Sequence, residues 1–128
     1  MTNSVLLDAN ILMELFFRRP RAQATEAAIA AVPDDSLLTT SVLALTILFY
    51  YVEKDGFDKT RAHSFVASYK VLDMGEVDYA WARQNDLGDF EDALQTACAL
   101  RHGCRKIITL DQAFAKRHRP HIAFTLVR

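Results

Sequence analysis

Asp8 and Asp111, each where an apolar run gives way to a helix-like pattern, and Asp89 and Asp92, at the opening of another helix-like pattern, are the residues best placed to do chemistry. Carboxylates gathered at one edge of a fold repel one another unless a cation is present. A hard divalent ion such as Mg²⁺ or Mn²⁺, which takes oxygen ligands and keeps several waters, is the natural solution. Each aspartate also has a plainer reading. Asp is a favoured helix N-cap, and Asp89 with Asp92 has the spacing of a capping box in which the second acid reaches back. For Asp8 that reading is weaker, because Asn10 is available as the cap instead. His63, His102, His118 and His121 are not spaced as zinc ligands and read as surface residues.

The elements that must position these acids alternate in type along the chain. Ser4 to Leu7 reads as a strand ending at Asp8, with Ile11, Leu12, Leu15 and Phe16 at helical spacing after it. Pro20 is expected to open an alanine-rich helix to about Ala31, and Leu37 to Thr40 makes a second strand. A helix from about Val42 to Lys54 follows, then one from about Asp58 to Ser68 and a short strand over Lys70 to Leu72. Glu76 to Gln84 and Asp89 to His102 read as helices. Lys106 to Leu110 is a β-branched strand closed by Asp111, and after a short helix the chain finishes in a strand over Ile122 to Val127. Such alternation predicts an α/β fold: a three-layer sandwich with a mainly parallel sheet of four or five strands. In such sheets ligands bind at the carboxyl ends of the strands, where these acids fall.

Bulk properties suit one domain spanning residues 1–128. At 128 residues, 51% hydrophobic and 24% charged, the chain has the composition of a compact protein, able to bury about two thirds of its unfolded surface. The net charge of -1 provides no overall basic field, so any nucleic-acid contact must be local. Cys98 and Cys104 suggest neither a disulfide framework nor a zinc finger. No leader-like or membrane-spanning stretch is apparent, which points to the cytoplasm. A P-loop and a dinucleotide fingerprint are excluded, since the glycines at 56, 75, 88 and 103 are scattered.

Three segments, in order over nearly the whole chain, resemble the PIN domain, the nuclease fold of VapC-type toxins: Val5 to Leu12, Asp89 to Leu94, and Ile107 to Phe114. The resemblance implies Asp8, Asp92 and Asp111 as ligands of Mg²⁺ or Mn²⁺, Asp89 as a catalytic neighbour that orients water, and Asn10 and Thr109 as supporting polar groups. It implies hydrolysis of RNA phosphodiester bonds, an antitoxin protein that blocks the site, and a homodimer. One position departs from the family pattern. Where many members carry a glutamate in the helix after the second strand, this chain has Ile47. Glu53, six residues on and so roughly 9 Å along a helix, is a poor substitute, and Asp89 is the better compensating acid. The departure keeps a second reading open, a non-catalytic module that binds RNA or a protein partner.

RNA also requires cations. Arg18, Arg19 and Arg21 are the nearest in sequence to Asp8, with Arg101, Arg105 and Lys106 as a second group, and either set also reads as solvated surface. A haloacid-dehalogenase-like phosphatase, which likewise places an Asp after its first strand, needs a second Asp where this chain has Asn10.

Overall fold

The computed structural model describes residues 3–128. The elements are β1 (Ser4–Leu7), α1 (Ala9–Phe16), α2 (Ala22–Ala30), β2 (Leu37–Ser41), α3 (Val42–Lys54), α4 (Lys59–Val66), β3 (Lys70–Leu72), α5 (Glu76–Gln84), α6 (Phe90–Arg101), β4 (Lys106–Thr109), α7 (Gln112–His118) and β5 (Ala123–Leu126). The five strands form one sheet in the order β3-β2-β1-β4-β5. Every pairing is parallel, so the carboxyl ends of all five strands share one edge.

Alternation along the strands explains the layers. Val5, Leu7 and Ile108 point to one face and join a core with Ile11, Leu12 and Phe16 of α1 and Ala44, Leu48 and Val52 of α3. Leu6 and Ile107 point to the other and meet Cys98 and Ala99 of α6 and Phe114 of α7. A strand covered on both faces must be apolar throughout, which is why Val5, Leu6 and Leu7 are all fully buried.

Two expectations need correction. The second helix begins at Ala22 rather than Pro20. After α1 the chain reverses through Arg18, whose φ of 52° is left-handed, and the Glu14 carboxylate accepts the Arg21 backbone N–H at 2.6 Å. The helix therefore starts only beyond that contact. His118 lies wholly inside the protein instead of on its surface. It stands four residues after Phe114, on the inward stripe of α7, with its ring centroid 5.9 Å from Phe114 and 6.2 Å from Trp81. Neither ring nitrogen has a hydrogen-bond partner among the described residues. Burial, aided by nearby His121 and Arg117, holds its pKa below the usual histidine value.

Candidate active site

Asp8 ends β1 at the shared carboxyl edge and is the N-cap of α1, its Oδ1 accepting the Ala9 N–H at 2.8 Å. The cap is thus Asp8 itself. Asn10, the alternative cap, lies inside α1 and serves the site instead. Its Nδ2 donates to Asp8 Oδ2 at 3.2 Å and to Thr109 Oγ1 at 3.1 Å, and its Oδ1 accepts the Leu110 N–H at 3.1 Å. Thr109, at the end of β4, donates to Asp8 Oδ2 at 2.7 Å and accepts the Asp111 N–H at 3.1 Å. One hydroxyl therefore ties the first acid to the last.

Two residues that the sequence reading passed over complete this arrangement. Gln95 of α6 donates from Nε2 to Asp8 Oδ1 at 3.1 Å. Its Oε1 accepts the hydroxyl of Ser41, which also caps α3 by accepting the Ala44 N–H at 3.0 Å. Both side chains are buried, so each needs its partner. A signal was present: Gln95 follows Asp92 by three residues on the same face of a helix, and Ser41 stands at the carboxyl end of its strand.

The remaining acids come from the starts of α6 and α7. Asp89 caps α6, accepting the Asp92 N–H at 3.1 Å, and Asp111 caps α7, accepting the Phe114 N–H at 3.1 Å. The capping-box expectation holds only on one side, because Asp92 does not reach back. Its Oδ2 instead accepts Arg117 Nη1 at 2.9 Å.

Burial and like charge both act on the acids. Asp92 is pushed up to about 7, first by burial and then by the charges of Asp89, Asp8 and Asp111, and the opposing pull of Arg117 does not outweigh them. Burial likewise raises Asp8, against the hydrogen bonds from Thr109, Gln95 and Ala9 that favour its charged form. Two kinds of neutralisation suit such a cluster, a proton or a hard cation.

The donor set fits the cation in kind, being all carboxylate oxygen. It also sets a condition. Asp8 accepts from Ala9, Gln95, Thr109 and Asn10, which is about the four acceptor sites a carboxylate offers. A cation at Asp8 must take the place of one of these bonds. Among the described residues no group of three Asp, Glu, His or Cys side chains is gathered as a ready cage.

The expected basic contacts fall elsewhere. The eight residues of α1 lead away from Asp8 by roughly 12 Å, which carries Arg18, Arg19 and Arg21 beyond its far end. Arg18 pairs with Glu26 at 3.2 Å, and Arg19 lies over the Phe17 ring. Arg101 is engaged by Asp73 at 2.8 Å and Asp78 at 2.9 Å, and Lys106 opens β4 at the amino end of the strand. Near the acids the cation is Arg117. Ile47 is half-buried and lines a groove with Leu43, Thr46, Tyr50, Tyr51 and Glu91, so a carboxylate on α6 faces the position where the family pattern has one on α3.

Comparison with known proteins agrees with this architecture. The PIN domain family matches residues 4–113. No curated protein matches the sequence significantly. Among solved structures, VapBC2 from Rickettsia felis bound to a promoter DNA fragment aligns with a TM-score of 0.77 at 15% identity, covering 96% of this chain and 98% of that one. A toxin-antitoxin complex from Klebsiella pneumoniae gives 0.75 at 19%, covering 97% and 98%. The sarcin-ricin loop cleaving toxin VapC20 of Mycobacterium tuberculosis gives 0.71 at 14%, covering 88% and 93%. At these identities the likeness is one of fold.

Proposed function

Because the chain belongs to the PIN domain family, we propose that it is a metal-dependent endoribonuclease hydrolysing RNA phosphodiester bonds at the acidic edge of its sheet. The observation that carries this is the convergence of Asp8, Asp89, Asp92 and Asp111 on the carboxyl edge of the sheet, where the one paired cation, Arg117, does not offset the burial and like charge that hold Asp92 above its ordinary value. In this reading Asp8, Asp92 and Asp111 hold Mg²⁺ or Mn²⁺. The ion supplies Lewis-acid polarisation of a phosphoryl oxygen and a more acidic bound water.

The chain's own groups do the positioning. Thr109 and Asn10 fix Asp8, and Thr109 also fixes the backbone before Asp111. Gln95 and Ser41 set the amide that faces Asp8. Asp89, whose other oxygen is not used by the cap, orients the attacking water. Arg117 holds Asp92 and offers a cation to the substrate.

The toxin-antitoxin context of the similar structures supports a narrower reading, in which residues 1–128 form one PIN domain acting as a cytoplasmic toxin. It would dimerise and be blocked by an antitoxin protein. Ile47 and the fully used Asp8 favour a second reading, a weak or inactive module that binds RNA or a protein partner.

The test is cleavage of a mixed pool of labelled RNAs with Mn²⁺, with Mg²⁺ and with chelator, alongside Asp8→Asn. Metal-dependent cutting, reduced at least ~100-fold in the folded variant, is expected. Cutting that persists in Asp8→Asn would place the activity elsewhere, and no cutting by folded wild-type protein would favour the binding module.

A further inference from the structure

A second feature of the acidic edge is the groove that leaves it. Gln112, Ala115 and Lys116 of α7 with Arg119, its C-cap, form one wall, and Phe124, Leu126 and Arg128 along and beyond β5 form the other, around about 440 Å³. The spacing 112, 115, 116, 119 is that of one helical stripe, so the four side chains share a face. Phe124, Leu126 and Arg128 alternate on one face of the edge strand. Phe124 is anchored by Phe114, with ring centroids 5.0 Å apart.

Charge sets this groove apart. Lys116, Arg119 and Arg128 are exposed, none of their side chains is in an ion pair among the described residues, and no Asp or Glu side chain lines the groove. Arg117, the cation between them in sequence, turns the other way, to Asp92. The groove also meets the candidate site. Gln112 follows Asp111, and because β4 and β5 end side by side at Thr109 and Leu126, Asp111 and Arg128 each lie two residues beyond the same edge. From Gln112 to Arg119 a helix rises roughly 10 Å, which at about 3.4 Å per charge on a stacked strand is about three nucleotides.

We propose that the α7–β5 groove is the exit track for the RNA strand, with Lys116, Arg119 and Arg128 taking successive phosphates next to the scissile one. Phe124 and Leu126 provide an apolar floor for bases or riboses, as sequence-tolerant single-strand sites do. This proposal rests on the nuclease reading for the identity of the strand, and it moves the substrate's basic contacts from the far end of α1 to the opposite side of the site.

Binding of a fluorescein-labelled single-stranded RNA dodecamer, followed by anisotropy in chelator over a salt series, tests the groove apart from catalysis. Replacing Lys116, Arg119 and Arg128 by alanine should weaken binding at least ~10-fold and flatten the slope of log K against log salt by about 2, at about 0.7 per phosphate. Replacing them by the other basic residue, as Lys116→Arg, Arg119→Lys and Arg128→Lys, should retain most of the affinity and confirms that charge rather than folding is being read. Removing equal charge on other elements, with Arg61→Ala, Lys70→Ala and Arg83→Ala, should leave the slope unchanged. Wild-type protein that does not bind, or an alanine triple with unaltered slope, would overturn the track. So would a polyglutamate peptide that outcompetes the RNA, which would make the groove a seat for an acidic protein. Binding without metal-dependent cleavage would sink the nuclease reading and leave the groove standing.

Discussion

Asp8 is held by four donors, and the one contributed by Gln95 comes from a neutral amide where a carboxylate would add a ligand. Gln95→Glu should therefore place like charge against a buried acid, lowering the melting temperature without metal and enlarging the rise on adding Mn²⁺. An equal metal-induced rise in wild type and variant would show that the cation does not visit Asp8. Ile47→Glu asks the same question from α3. Because Ile47 is half-buried at a groove mouth, the change should cost no more than about 1–3 kcal/mol and should strengthen Mn²⁺ binding by calorimetry. At this scale the strand-end positions of Asp8 and Asp111 were legible in the sequence, and so was the nearness of Asn10 and Thr109 to Asp8. Gln95 and Ser41 were missed because their meeting, 54 residues apart, exists only once α6 packs against the end of β2.

Among the elements, α7 carries the most consequence. Its first residue follows Asp111, its next-to-last, Arg117, holds Asp92, and its last is the buried His118. Above the ordinary value of 6.5 His118 is neutral whether folded or not; below it the unfolded chain takes up a proton that the folded ring resists. Stability should then fall as pH drops from 6.5 toward the lower folded value. Asp92, raised to about 7, favours the folded state over the same window, so the test is a difference: the urea midpoint of wild type relative to His118→Phe should fall from pH 7 to 5.5, and parallel curves would not bear this out. Asp111→Ala should cost about 1 kcal/mol through the lost cap, measured by the same denaturation, besides its effect on metal binding. The alternation of strand and helix was legible throughout, since buried strands and amphipathic helices differ in period. The start of α2 was not, because Glu14, a helix away, decides it. Nor was the burial of His118, where a polar residue occupies an apolar stripe.

For the whole molecule, parallel packing was predictable from the crossovers, whereas the order β3-β2-β1-β4-β5 was not, since no local pattern says which strands become neighbours. The sheet's middle is where a truncation is felt most: Leu6→Ala, in β1 with helices on both faces, should cost about 2–5 kcal/mol by urea unfolding. That central strand is also made before the other four, and one of its two neighbours is β4, about a hundred residues later. A ribosome adding roughly 5–20 residues per second thus exposes β1 for several seconds before β4 can dock. Until then Asp8 lacks Thr109 and has no Asp111 nearby. A growing chain of this topology carries Asp8 early, yet it gains an assembled acidic centre only once β4 and Asp111 have followed, about a hundred residues later.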